Sequence, residues 1–248
     1  MRENECVMLN NIGKTYGKRT VLNQIDLSIK KGEIFGLLGP SGCGKSTTVK
    51  IIAGIEKADR GSVRIFGQEM PNFAAMGKIG YMAQAAALSP TLSGYENLYF
   101  FGQVMGLKRR ELKERIEELA KLVDLKDALK KAVCHYSGGM KQRLSLITTL
   151  IAKPKLLLLD EPTVGIDPLL RQKIWEELYR LKEQGTTILI TTHVMDEVSK
   201  CDRLAMIREG DILVQGTVEE VQKQAGVSSI EEAFIHFSRR QDESEGIS

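Results

Sequence analysis

Residues 39 to 46 read Gly-Pro-Ser-Gly-Cys-Gly-Lys-Ser, with Thr47 next, and fit the pattern G-x-x-x-x-G-K-[ST]. No other stretch of the chain restricts the fold as tightly, because this pattern works only between a buried strand and the start of a helix. Both flanks are present. Ile34-Phe35-Gly36-Leu37-Leu38 is a short apolar run that predicts a buried strand, and Thr48 to Ala53 predicts a helix closed by Gly54. Glycines let the backbone curl so that successive N–H groups point inward, and the helix N-terminus adds positive potential. Lys45 supplies a full positive charge toward the outer phosphates, and the Ser46 hydroxyl suits a magnesium ion. Gly39, Pro40, Ser41, Gly42, Cys43, Gly44, Lys45, Ser46 and Thr47 therefore predict a cradle for a nucleoside triphosphate.

The remaining chain is long enough to build around that loop. Its 248 residues allow one large α/β domain with a full core and room for a helical insertion. A formal net charge of +3 is small for this length and gives no electrostatic reason to expect nucleic acid as a partner. No apolar run approaches the roughly 20 residues that span a bilayer. Met1 to Glu5 carries charges and no apolar core, so no secretory signal is expected. Cys6, Cys43, Cys134 and Cys201 lie far apart without metal-ligand spacing, which predicts free thiols in a cytosolic protein.

Short strands separated by turns fill the first part: Val7 to Ile12, Ile25 to Ile29, Ile34 to Leu38 and Val63 to Phe66, with Gly80-Tyr81-Met82 as a later strand end. From about Ser93 to Ala132 the pattern changes to a helical one. Leu112, Ile116, Leu119 and Val123 recur at helical spacing with Glu114, Glu117, Glu118 and Lys121 opposite, either a helical subdomain or a plain surface hairpin. A helix is expected after Ser137, and another over 169–184. Between them Leu156-Leu157-Leu158-Leu159 lacks any polar alternation, as a strand buried on both faces of a parallel sheet does. Thr187 to Thr191 predicts a further strand, and Glu209-Gly210-Asp211 a hairpin turn. Two short helices follow to Phe237, and Ser238 to Ser248 reads as a disordered polar tail.

A phosphate loop alone leaves GTPases, kinases, helicases and many ATPases open. Four further features narrow the field. Asp160-Glu161 follows the tetra-leucine strand, at the strand edge where α/β sheets place their chemistry. Asp160 suits magnesium through water, and Glu161 suits a general base on the attacking water. In Tyr136-Ser137-Gly138-Gly139-Met140-Lys141-Gln142, Ser137 fits an N-cap and the two glycines leave the first helical turn bare, open to a phosphate. His193 ends the Thr187–Thr191 strand. Gln84 follows the Tyr81-Met82 strand and suits a neutral ligand to magnesium and water.

Together and in this order, these residues resemble the nucleotide-binding subunit of ATP-binding-cassette (ABC) transporters, from Met8 to about Phe237. The resemblance implies that Tyr16 stacks on adenine and that Gly39 to Thr47 is the Walker A loop. It makes Gln84 the Q-loop glutamine, Ser137-Gly138-Gly139 the core of the signature acting in trans, and Leu156 to Glu161 Walker B. Val164-Gly165-Ile166-Asp167 becomes the D-loop, with Asp167 in it, and His193 the switch histidine. Ser46, Gln84 and Asp160 are the implied magnesium set, with Glu161, His193 and Gln84 catalytic. The signature departs from the commonest form at Tyr136 and Met140, Gly165 stands where a larger residue is frequent, and Ala83 precedes Gln84 where proline is frequent.

The expected fold is α/β: a P-loop NTPase core with a mainly parallel sheet, an N-terminal antiparallel β-subdomain and a helical subdomain over about 93–150. One ABC ATPase domain is expected over 1–240, with a polar tail over 241–248. The implied reaction is hydrolysis of ATP with Mg2+. A chain with one copy of each motif needs a second ABC ATPase subunit, identical or not, and a transmembrane permease on a separate chain. That places it at the cytoplasmic face of the membrane. Ser229-Ile230-Glu231-Glu232-Ala233-Phe234 resembles the subfamily serving export-type permeases. The competing expectation is a soluble single-cassette ATPase in an assembly role without a permease.

Overall fold

The computed structural model describes residues 4–84, 87–244 and 246. Two compact units share the chain, Met1–Met76 with Thr187–Ser248, and Gly77–Thr186. The chain opens in the first unit with β1 (Glu5–Tyr16), β2 (Arg19–Lys30), β3 (Ile34–Leu38), α1 (Lys45–Ile52), β4 (Arg60–Ile65), β5 (Gln68–Glu69) and the short α2 (Phe73–Met76). The second unit holds β6 (Ile79–Met82), α3 (Gly94–Val104), α4 (Arg109–Leu122), α5 (Gly138–Leu150), β7 (Leu156–Asp160) and α6 (Pro168–Glu183). The chain then returns to the first with β8 (Thr187–Thr192), α7 (Met195–Val198), β9 (Arg203–Arg208), β10 (Asp211–Gly216), α8 (Val218–Ala225) and α9 (Ile230–Ser244).

In the first unit β2, β1, β4 and β5 form an antiparallel sheet in that order. Its leading hairpin turns at Gly17-Lys18, where Gly17 has φ 60° between the paired Tyr16 and Arg19. A second set runs β10, β9, β3, β8. There β3 lies parallel to both β8 and β9, and every residue of β3 and β8 is buried. The predicted hairpin joins β9 to β10 with Glu209 at φ 51° and Gly210 at φ 87°. Positive φ at both central residues is the type I′ geometry that matches strand twist.

The C-terminal helices finish this core. α8 opens on a capping box, Thr217 with Glu220, and closes on Gly226 in the left-handed region. Val221, Ala233 and Phe237 join Leu38, Leu204, Met206 and Val214 in one apolar cluster. The polar tail expected from Ser238 is instead helical, since α9 continues through Ser244. Arg208 accounts for the difference. Its guanidinium donates to the Ser238 carbonyl at 2.8 Å and pairs with Asp242 at 2.7 Å, so the last turns are tied to β9. The rest of the tail (245, 247, 248) and Met1, Arg2 and Glu3 lie outside the described residues.

In the second unit β6 lies parallel to β7, with Ile79 opposite Leu156 and Met82 opposite Leu159. All of β7 is buried. α3 starts on a capping box between Ser93 and Glu96. The apolar stripe Leu112, Ile116, Leu119 and Val123 is buried as its spacing predicts. Asp167 caps α6 by accepting from the Leu170 N–H at 3.0 Å, with Pro168 behind it. The helices α3 to α5 occupy the span expected for a helical subdomain, but the compact unit is wider because α5 also packs on β6 and β7. Parallel strands under helices, beside an antiparallel N-terminal sheet, make the fold α/β.

Candidate functional site

The phosphate loop lies between β3 and α1, and its glycines are constrained in two ways. Gly42 and Gly44 have φ 79° and 112°, in the region that favours glycine. A Cβ on Gly44 would stand 2.5 Å from a Leu22 methyl and 2.9 Å from the Val21 carbonyl. One on Gly39 would collide with the Ile207 carbonyl oxygen. The loop is therefore pressed against β2 and β9 as well as curled. Lys45 is buried, and its Nζ donates to the carbonyls of Gly39 at 2.7 Å and Pro40 at 2.9 Å. The ammonium thus sits inside the loop, against its backbone carbonyls. Pro40, Ser41 and Gly42 are at or near the surface, while Cys43 is 6 % exposed beneath them. Ser46 and Thr47 follow in the first turn of α1, whose N–H groups face the loop.

His193 lies directly after β8, exposed. The phosphate loop begins against the same strand end, because the Gly39 N–H donates to the Thr192 carbonyl at 3.3 Å. Beneath it, the Thr192 hydroxyl donates to the buried Glu197 carboxylate at 2.7 Å and accepts from the Val194 N–H at 3.0 Å. The backbone on both sides of His193 is thereby held. Tyr16 ends β1 and is 45 % exposed, with the Lys14 ammonium 5.1 Å from its ring centroid. Lys14 is itself held by Glu56 at 2.8 Å and Asp59 at 3.3 Å. Arg19, opposite Tyr16 in the hairpin, reaches to 4.0 Å from the Cβ position of Gly42, so this aromatic hairpin end borders the phosphate loop.

The second unit gathers the carboxylates. Asp160 ends β7 and is 1 % exposed. Glu161, the next residue, has φ 52°, a left-handed conformation that costs a bulky residue on the order of 1–3 kcal/mol and marks functional turns. Two side chains hold it there. The Gln84 amide donates toward the Glu161 carboxylate at 3.5 Å, and the Gln142 amide donates to the Glu161 carbonyl at 3.0 Å. Burial, together with the charge of Asp160, pushes the Tyr81 phenol up to about 12, so it stays a neutral O–H. That hydroxyl has no hydrogen-bond partner among the described residues.

Ser137, Gly138 and Gly139 start α5 in the same unit. The Ser137 hydroxyl accepts from the Met140 N–H at 3.2 Å, as expected of an N-cap. A Cβ added to Gly138 meets nothing within 4 Å, and one on Gly139 meets only the Gly165 carbonyl at 3.5 Å. The helix end is thus open, and the backbone at Gly165 borders it. The unusual Tyr136 is anchored: it is 5 % exposed and its hydroxyl donates to the Ala128 carbonyl at 2.7 Å. Ser46, the loop and His193 belong to one unit; Gln84, Asp160, Glu161, Asp167 and the signature belong to the other.

Sequence reasoning overlooked Gln142, Glu197 and Arg19. Gln142 had a signal, since it lies one helical turn beyond Gly138 and Gly139 on α5. Glu197 had none, because a carboxylate in a short polar helix reads as surface until its neighbours bury it.

Comparison with known proteins fits this geometry. The ABC transporter family model matches residues 22–164. The linearmycin resistance ATP-binding protein LnrL of Bacillus subtilis (strain 168) is 42 % identical over 236 residues, covering 91 % of this chain and 76 % of that protein. Nod factor export ATP-binding protein I of Sinorhizobium fredii (strain NBRC 101917 / NGR234) is 41 % identical over 230 residues, covering 91 % and 67 %. Among solved structures, an ATP-binding subunit of an ABC transporter superposes with TM-score 0.88 at 26 % identity, over 94 % of this chain and 99 % of that one. The dimeric post-hydrolysis ATP-binding cassette MJ0796, bound to ADP and Pi, gives 0.79 at 28 % identity, over 85 % and 98 %. The family model over residues 22–164 and relatives at 41–42 % identity over 91 % of the chain make this chain a member of the ABC transporter family and an ATPase.

Proposed function

We propose that the chain is the ATP-hydrolysing subunit that powers a separate transmembrane permease, for export, from the cytoplasmic face of the membrane. The names of its relatives support the direction: linearmycin resistance and Nod factor export are both outward tasks. Among the described residues no helix is long and apolar enough to cross a membrane.

The observation that carries the mechanism is the bare start of α5. An uncovered Gly138 and a self-capped Ser137 leave N–H groups and positive helix potential facing outward. One phosphate loop and one such helix end per chain suit two subunits arranged head to tail, each lending its signature to the other's nucleotide. In that arrangement Tyr16 stacks on adenine, while the loop amides and Lys45 hold the phosphates. Glu161 takes the proton of the attacking water, Gln84 orients that water, and His193 steadies the γ-phosphate. Asp167 caps α6 and sets the D-loop beside the signature.

The donor types suit Mg2+, a hard cation that takes oxygen ligands and keeps several waters. Ser46 would supply a hydroxyl, Gln84 a carbonyl and the buried Asp160 a carboxylate acting through water. Bound there, the ion would neutralise phosphate charge as the γ-phosphoryl group leaves.

Mixing two variants tests the shared site. Gly138→Asp sets a carboxylate where phosphate is expected, and Lys45→Ala removes the loop cation. Each alone is expected to be inactive, and the mixture to recover part of the parental ATPase rate by forming one intact composite site. Full activity of Gly138→Asp by itself overturns the reading.

A further inference from the structure

A cavity of about 610 Å³ in the second unit lies between α4, the α5–β7 connection and the end of α6. Its lining is basic: Arg115, Lys153, Lys155 and Arg180, with Glu118 as the only carboxylate among the lining residues. Arg115 is 6 % exposed. Its two terminal nitrogens are engaged, one with Glu118 at 2.8 Å and the other with the Leu150 carbonyl at 3.2 Å. Its Nε is buried with no acceptor among the described residues. Glu118 is shared, because Arg180 also reaches it at 3.5 Å while pairing with Glu177 at 2.6 Å. Four cations therefore face two carboxylates, and Lys153 and Lys155 are exposed at the surface.

Arg115 and Arg180 are paired with Glu118 and Glu177, so the unbalanced positive charge of the cavity falls on Lys153 and Lys155. A concave site of one dominant charge sign also concentrates oppositely charged ligands. From this cavity we infer a binding site for a small phosphate-bearing anion, distinct from the phosphate loop. With both guanidinium groups held by carboxylates, the exposed ammonium groups of Lys153 and Lys155 supply the point charges that meet phosphate oxygens. The volume falls within the range of small-molecule pockets, so the ligand is of nucleotide size or less. Arg115 joins the site to α5 through the Leu150 carbonyl, at the opposite end of that helix from Ser137. Occupancy thus bears on the helix that carries the signature.

Pyrophosphate is the probe, titrated by calorimetry into the full chain. Parent protein should show saturable binding that weakens as salt rises. In the Lys45→Ala background Lys153→Gln with Lys155→Gln should weaken it at least tenfold, whereas Lys108→Gln with Lys130→Gln, an equal loss of charge elsewhere, should not. Binding should persist in Lys45→Ala, in which the phosphate loop is disabled. Absence of binding to the parent, equal weakening in the control pair, or loss of binding in Lys45→Ala would each overturn the inference.

Discussion

Substituting Gly94 by alanine isolates the anchor beneath the signature. Gly94 opens α3 with ordinary backbone, so alanine brings no conformational penalty of its own. Its new methyl would collide with the Tyr136 hydroxyl, stand 3.2 Å from Cζ and lie 3.5 Å from the Leu129 carbonyl. The tyrosine cannot easily withdraw, being 5 % exposed and hydrogen-bonded to the Ala128 carbonyl at 2.7 Å. Overpacking costs about 1–3 kcal/mol, and a lost buried hydrogen bond adds about 1 kcal/mol. A net loss of about 2–4 kcal/mol lowers the melting temperature by roughly 4–16 °C in a chain of this size. Tyr136→Leu removes both the hydroxyl and the ring, and costs stability alone by emptying its site. In the Gly94→Ala background that cost should shrink, because the new methyl occupies vacated space. Thermal and urea melts of the four proteins form a double-mutant cycle, and coupling of at least about 1 kcal/mol is expected. Additive losses would show that Gly94 and Tyr136 do not constrain one another.

Glu161→Gln keeps shape while removing the proposed base, so turnover should fall roughly 10²–10⁴-fold with ATP still bound; a parental rate in a phosphate-release assay would remove Glu161 from that role. Tyr16→Ala should weaken adenine nucleotides by about 1–2 kcal/mol if the ring stacks on the base, and calorimetry with ATP and with inorganic triphosphate separates that loss from phosphate binding. In the native protein a thiol reagent at pH 8 should modify Cys134 first, because it alone of the four cysteines is exposed. Burial pushes the Cys6 and Cys201 thiols up, keeping them protonated there, and Cys134→Ser should abolish the rapid phase.

What was legible in the sequence is what short-range chemistry controls. A run of four leucines must be buried on both faces, and β7 is buried throughout. Ser137 before two glycines caps a helix whose first turn stays bare, and Glu209-Gly210 turns a hairpin through local torsions. The strand and the helix that flank the glycine-rich loop were legible for the same reason, and β3 and α1 stand on either side of it.

The tertiary structure decided what depends on partners far along the chain. Gly39 must be glycine because the Ile207 carbonyl lies against it, 168 residues away in sequence, as much as because the loop curls. Gln142 steadies the strained Glu161 from the next helix, and Glu197 is buried only because Thr192 and the surrounding strands enclose it. The helical tail follows from Arg208 reaching Ser238 and Asp242, where composition alone predicts disorder. Periodicity tells which face of an element is apolar, but the element that covers it is chosen by three-dimensional packing. Close approach and the satisfaction of buried polar groups belong to that packing, and so does the fit between Gly94 and Tyr136.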